Sequence, residues 1–253
     1  MSIPRVELRE ISKSFGNVRA LRNVSLEIHP AEVIAIVGDN GAGKSTLIKI
    51  LSGAAHADHG HIAVDGKLAA ISKPQDAQNL GIATIYQDLA LFDNLNVAEN
   101  VFAGRELTWS LLGLRLLRRR HMSVGAHRAV KDLGVLTLQS ARPLVGSLSG
   151  GQRQMVAVAR AIGMSARVLI LDEPTAALGI RESRTLLDQV RRLREMGLSI
   201  ILITHRLPDA IELADRIVVM KGGEIAGIVR PESSTLEDIV ELIVRGHKAK
   251  EES

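Results

Sequence analysis

Apolar runs of strand length alternate along this chain with stretches of helical period, and the plainest example is residues 33–50. Val33, Ile34, Ala35, Ile36 and Val37 form an unbroken, mostly β-branched run, the pattern of a strand buried on both faces. A glycine-rich turn follows, and from Lys44 onward Leu47, Ile48 and Ile50 take helical spacing. Residues 167–171 and 198–204 read as two more core strands, with a long amphipathic helix over 181–196 between them. A short strand is expected over 81–87 and helices over 207–214 and 236–244. Residues 216–221 and 224–229 should pair across Gly222 and Gly223.

The two ends of this pattern look different. Residues 5–11 and 20–28 read as two short strands around a turn at Phe15, Gly16 and Asn17, with Leu21, Val24, Leu26 and Ile28 on the buried side. A hairpin is expected for 61–64 and 67–71, because Asp65-Gly66 is a strong turn signal. From 95 to about 164 the period turns helical, over 96–103, 107–117, 121–133 and 151–163, and no strand is expected there. The tail, 247–253, is charged and expected to fray. The order implies an α/β fold: a mostly parallel sheet with crossover helices, an antiparallel edge from the N-terminal hairpins, and a helical insert.

Composition adds limits rather than direction. A chain of 253 residues is long enough for one large α/β domain or two small ones. Its 46% apolar and 24% charged residues are ordinary for a globular protein, and with no cysteine neither a disulfide nor a thiolate metal site is possible. The first residues lack a signal-peptide core, and no apolar run approaches the roughly 20 residues that span a bilayer, so a cytosolic location is expected. The net charge of +4 gathers at Arg115, Arg118, Arg119, Arg120 and His121, and at Arg191, Arg192 and Arg194. Only 2% of residues are aromatic, which leaves little to stack on bases; nucleic acid is an unlikely partner, and a solvated or partner-facing surface is the better reading.

Three stretches carry chemistry. Gly38 and Gly43 stand five positions apart, followed by Lys44 and Ser45, in a strand-to-helix setting: the pattern of a phosphate-binding P-loop. Glycines let successive N–H groups wrap a polyphosphate, and the helix start adds donors and a positive dipole end. Lys44 would reach the phosphates and the Ser45 hydroxyl would hold Mg²⁺. The strand at 167–171 ends in Asp172 and Glu173, at the sheet edge where open α/β folds place ligands. Asp172 suits Mg²⁺, and Glu173 suits orienting or deprotonating a water. Ser149, Gly150, Gly151 and Gln152 open the third stretch, a helix start with a hydroxyl and free N–H groups for a second anion.

Together these motifs resemble the nucleotide-binding domain of ABC transporters over nearly the whole chain. Walker A is Gly38, Asp39, Asn40, Gly41, Ala42, Gly43, Lys44 and Ser45, followed by Thr46. The Q-loop residue is Gln87, the signature LSGGQ ends on Ser149, Gly150, Gly151 and Gln152, Walker B runs into Asp172 and Glu173, and the switch histidine is His205. The resemblance implies one domain over 1–253, with a P-loop NTPase core and antiparallel β subdomain at about 1–87 and 166–253. A helical subdomain carrying the signature would occupy about 88–165. It also implies that ATP and Mg²⁺ are bound, with Phe15 stacked on adenine, Gln87 near Mg²⁺ or the attacking water, and His205 at the γ-phosphate. Each ATP would lie between one copy's Walker A and the other's signature.

The resemblance is nearest the monosaccharide-importer branch, through EPTAALG, YQDLALFDNL and the setting of His205. Integral membrane permease subunits would then be the partners, with a solute-binding protein acting indirectly, on the inner face of the cell membrane. Members of that branch often fuse two cassettes; one is seen here, so two copies would have to pair. One departure stands out: Gly179 replaces the usual D-loop aspartate after Ala176, Ala177 and Leu178. The alternatives are a soluble, non-transport ABC ATPase and a regulatory cassette with little turnover.

Overall fold

The computed structural model describes residues 3–111, 114–133, 140–163, 165–176 and 178–246. Met164, Ala177 and the charged tail 247–253 lie outside the described residues. In chain order the elements begin with β1 (Val6–Phe15), β2 (Val18–Ile28), β3 (Val33–Val37), α1 (Lys44–Leu51), β4 (His59–Val64), β5 (Lys67–Ala69), α2 (Pro74–Asn79) and β6 (Ile82–Ile85). Next come α3 (Val97–Val101), β7 (Thr108–Leu111), β8 (Leu114–Leu117), α4 (Arg119–Asp132) and α5 (Gly150–Ile162). The chain continues through β9 (Val168–Asp172), α6 (Ile180–Glu195), β10 (Ser199–Ile203), α7 (Leu207–Leu213), β11 (Arg216–Lys221), β12 (Glu224–Val229) and α8 (Leu236–Arg245).

A six-stranded sheet in the order β12-β11-β3-β10-β9-β6 carries the fold. Its strands pair in parallel except β12, which runs antiparallel to β11. All five residues of β3 are buried, and alternation divides them between two cores. Val33, Ala35 and Val37 pack with α5, α6 and α8 residues on one side. Ile34 and Ile36 pack on the other with Leu47, Ile48 and Leu51 of α1 and with Val6, Leu8, Leu21 and Leu26 of the N-terminal strands. A strand with no polar face is what burial on both sides demands.

Three expectations change. The N-terminal hairpins are not an edge of the parallel sheet but a separate antiparallel sheet, β2-β1-β4-β5, joined to it through the α1 core. β1 and β2 span ten and eleven residues rather than being short, because β1 runs on through register shifts after Leu8, where Glu10 has a φ of 52°. Of residues 107–117, expected as helix, Thr108–Leu111 and Leu114–Leu117 pair instead as the antiparallel strands β7 and β8, and residues 112–113 lie outside the described residues. Apolar Leu107, Trp109 and Leu111 alternate with polar Thr108 and Ser110, and that period of two prevails.

Among the described residues of the segment expected as a helical insert, α3, α4 and α5 pack on one another as a helical arm. Fully buried Asn100 anchors its base: it accepts from the Phe92 N–H at 2.8 Å and donates to the carbonyls of Phe92, Leu95 and Asn96. The Asn100 side chain thereby satisfies backbone groups between residues 92 and 96 that would otherwise be unpaired beside the core.

Candidate nucleotide-binding site

Between β3 and α1 the backbone follows a path open only to glycine at two points. Gly38 and Gly43 have φ of 145° and 103°, and an added Cβ would fall 2.2 Å from the Met220 carbonyl oxygen and 2.7 Å from that of Ala20. The motif glycines therefore answer both a conformational and a spatial demand. Helix α1 begins at Lys44 with no side-chain cap and no acid in its first turn, so its N-terminal amides keep their positive dipole end for an external anion. Ser45 is exposed and Thr46 half-buried at that helix start, while Asp39, Asn40 and Gly41 form the exposed crest of the loop and Ala42 is buried beneath it. The Lys44 ammonium folds back on the loop, donating to the carbonyls of Gly38 at 2.6 Å and Asp39 at 3.0 Å.

Parallel pairing of β9 with β10 and of β10 with β3 brings the ends of these strands to one edge. Asp172 is the last residue of β9, and Glu173 follows with a φ of 50°, its N–H donating to the Ile203 carbonyl at 2.9 Å. A left-handed glutamate costs about 1–2 kcal/mol, strain of the kind that gathers at functional sites. His205 lies two residues beyond β10, and its Nδ1 sits 2.6 Å from a Glu173 carboxylate oxygen. Burial pushes the Asp172 carboxyl above its ordinary value, and the neighbouring Glu173 charge adds to it, with Lys44 opposing. Burial lowers the Lys44 ammonium, against the pull of Glu173, Asp39 and Asp172.

The residues present suit Mg²⁺. A hydroxyl (Ser45) and a carboxylate (Asp172) beside a phosphate cradle is the sparse oxygen donor set that this ion takes, completed by phosphate and water. No cluster of three or more histidines or carboxylates that could hold a metal exists among the described residues. The partly desolvated Lys44 stands ready for phosphate charge.

Ser149 caps α5 in a reciprocal pair: its Oγ accepts from the Gln152 N–H at 3.4 Å, and the Gln152 Oε1 accepts from the Ser149 N–H at 3.1 Å. The hydroxyl and one amide expected to face an anion are thus turned on each other. The nearest side chains to Gly150 and Gly151 are Leu178 and Glu182, at the start of α6, and not residues of the P-loop.

Residues 21–176 match the family model described as ABC transporter. The chain belongs to the ABC transporter family. Within it the chain is an ATP-hydrolysing cassette with the P-loop fold. It is 42% identical to a fructose import ATP-binding protein of Rhizobium meliloti, over 94% of this chain and 92% of that one. A xylose/arabinose import ATP-binding protein of Sulfolobus acidocaldarius is 43% identical, over 94% and 93%. A ribose import ATP-binding protein of Burkholderia ambifaria is 44% identical over 96% of this chain, which spans only 47% of that relative. Among solved structures, a nucleotide-free ATP-binding cassette from an ABC transporter superposes with a TM-score of 0.78 at 26% identity, covering 95% of each chain. A dimeric cassette in a post-hydrolysis state with ADP and phosphate gives 0.72 at 26% identity, over 89% of this chain and 98% of that one.

In this cassette, then, the Walker A loop with Lys44 and Ser45 meets Asp172, Glu173 and His205 at one sheet edge. Phe15 is half exposed at the tip of the β1–β2 hairpin, with the Lys13 ammonium 5.4 Å from its ring centre. Gln87 is exposed two residues beyond the end of β6. Sequence reasoning missed several supports. The Tyr86 hydroxyl donates to Ser52 Oγ at 2.8 Å, tying the Gln87 loop to the end of α1. Arg160 of α5 donates to the carbonyls of Leu89 and Ala90 at 2.9 and 2.8 Å. Buried Thr175 donates to Asp209 at 2.7 Å, and Asp209 also faces Arg206 at 3.5 Å. An arginine and an aspartate at i,i+3 just after His205 were the visible trace of that last network.

Proposed function

We propose that this cassette is the ATP-hydrolysing subunit of a monosaccharide importer, working as a head-to-tail pair of copies on the inner face of the cell membrane. The observation that carries the ATPase chemistry is the Glu173–His205 pair standing beside the Lys44 loop. The assignment to sugar rests on the fructose, xylose/arabinose and ribose import relatives. The cassette is one domain, with a core at about 1–87 and 166–253 and a helical arm at about 88–165 that carries the signature. Integral permease subunits dock at the cleft of about 370 Å³ lined in part by Thr84, Ala90, Phe92, Gly104 and Arg160, beside the Gln87 loop. No helix among the described residues is long and apolar enough to cross a membrane. A solute-binding protein acts only through the permease.

The backbone amides of Gly41, Ala42 and Gly43, with the start of α1, cradle the polyphosphate of ATP, and Phe15 stacks on the adenine. Lys44 exchanges its two loop carbonyls for phosphate oxygens, a charge-assisted bond in place of neutral ones. Mg²⁺, when bound, supplies charge neutralisation at the phosphates, with Ser45, Asp172 and Gln87 as its holders. Glu173 orients the attacking water and takes its proton, and His205 fixes the carboxylate through Nδ1. Water adds to the γ-phosphorus, the bond to the bridging oxygen breaks, and ADP and phosphate leave. The second copy's Ser149, Gly150, Gly151 and Gln152 close over the γ-phosphate, releasing the mutual cap of Ser149 and Gln152.

Steady-state ATPase assays of wild type and Glu173→Gln test the chemistry. Equal, near-zero rates would overturn it in favour of a regulatory cassette, the reading that Gly179 supports. Co-purification with an integral permease tests the transport role, against a soluble ATPase.

A further inference from the structure

The β7–β8 hairpin and its flanks carry apolar surface with no core behind it. Leu107, Trp109, Leu116 and Leu117 are 38%, 51%, 41% and 42% exposed, and none belongs to either hydrophobic core. Trp109 pairs with Leu116 across the ladder, and the Arg118 N–H extends it by donating to the Leu107 carbonyl at 2.7 Å. The period of two therefore sets Leu107, Trp109, Leu116 and Arg118 on one face.

Charge is concentrated at the same place. Trp109 and Leu117 share an open cleft of about 680 Å³ with Arg118, Arg119, Arg120 and His121. The first turn of α4 contains no acid, and the Arg118 guanidinium lies 3.1 Å from the His121 ring rather than on a carboxylate. Two acids lie near it in the chain. Glu106 accepts from the Gly104 N–H, and Glu99 accepts from the Asn96 N–H while lining the adjoining cleft with Arg119 and Arg120. Trp109 with Leu107 and Leu116 on one face, and three arginines in succession beside Leu117 at the cleft, form an exposed apolar and cationic surface of the kind that marks an interaction site.

We propose that this hairpin and the first turn of α4 dock on an anionic phospholipid bilayer. Trp109 and Leu116 sit at the boundary between headgroups and acyl chains, and Arg118, Arg119 and Arg120 engage lipid phosphates. The long arginine stems suit this geometry, lying along apolar surface with the charge held at the phosphate level. Gly104 lines the cleft beside the Gln87 loop and lies three residues before Leu107, so the patch flanks that cleft. The lipid contact requires neither the permease nor any sugar.

The test uses the purified full chain, in which Trp109 is the only tryptophan and so reports its own surroundings. Emission and co-sedimentation are measured on vesicles of phosphatidylcholine alone and of phosphatidylcholine with phosphatidylglycerol. A blue shift and sedimentation should appear with the anionic vesicles only, and molar salt, with its screening length of about 3 Å, should reverse both. The triple variant Arg118→Gln, Arg119→Gln, Arg120→Gln should partition about a hundredfold more weakly, from about 1 kcal/mol per arginine at an anionic surface. Trp109→Ser should also sediment less, and ATP binding by both variants checks that they fold. Equal behaviour on neutral and anionic vesicles, or full binding by the triple variant, overturns the proposal. Binding that appears only when permease is present in the vesicles also overturns it, and gives the patch to a protein partner.

Discussion

The two helix starts proposed to hold phosphate in this cassette are built in opposite ways. At the start of α1 there is no cap, the loop is locked by glycines that admit no side chain, and Lys44 and Asp172 converge with part of their hydration removed. At the start of α5 the helix is capped by its own Ser149 and Gln152, exposed, and surrounded by Leu178 and Glu182 of the same chain. The first is prepared for a ligand at a cost in stability, and the second is content without one. A cap that satisfies itself in the single chain is compatible with the proposed site shared between two copies, where it would open against the partner's nucleotide. The sharpest experiments separate these two ends.

Ser149→Arg should have the largest effect, leaving ATP binding intact while turnover falls below detection, because it places a bulky cation where the partner's phosphate must close. Glu173→Gln should lower kcat by about 10²–10⁴-fold, the range of a lost general base, again with nucleotide binding retained. Mixing the two inactive variants then tests the comparison itself. Half the dimers would be mixed, and each of those would have one site with both ends intact. Recovery of up to about one quarter of wild-type turnover is expected from that two-fold arrangement. No recovery in a mixture shown to exchange subunits would mean that the two ends do not meet across a pair. A smaller signal should come from dilution: ATPase activity per molecule should fall as the chain is diluted below its pairing constant, and a flat profile would make each copy self-sufficient.

How much of this was readable beforehand differs between the two ends for a physical reason. The P-loop was legible because polyphosphate wrapping dictates glycines at fixed offsets and a strand and helix on either side, all of them local. Asp172 and Glu173 were legible as the end of a buried strand. Their contact with His205 was not, since it depends on β9 and β10 lying side by side, and the family resemblance supplied the histidine before geometry did. Arg160 was missed for the same reason: its carbonyl partners lie seventy residues away, so no spacing announces that the signature helix is tied to the Gln87 loop. For the β7–β8 hairpin the leucine-rich eleven-residue window satisfies both periods, so helical spacing competes with the alternation through Leu107, Trp109 and Leu111 that the strands follow. The long first strand was cut short by the bulge near Glu10, where polar residues interrupt the pattern but not the strand. Helix α2 announced itself only through Pro74 at its first position.

The last and smallest prediction concerns stability without nucleotide, where the two ends should respond with opposite signs. Asp172 has its carboxyl raised above the ordinary value, first by burial and then by Glu173. A folded state with a raised carboxyl binds a proton more readily than the unfolded chain, so stability falls as pH rises from the unfolded to the folded value. Above both values the full cost of the buried charge remains. Asp172→Asn removes that charge, so at neutral pH the nucleotide-free variant should melt a few degrees higher than wild type, about 2–4 °C per kcal/mol for a chain of this size. The gain should shrink as pH falls toward the acid side. Ser149→Ala removes only a cap, costs about 1 kcal/mol, and should melt lower by a similar amount with little pH dependence. Thermal melts of the three proteins across pH would settle it. If Asp172→Asn melts lower than wild type, the carboxylate stabilises the empty site, and the contrast between an end prepared at a cost and an end at rest does not hold.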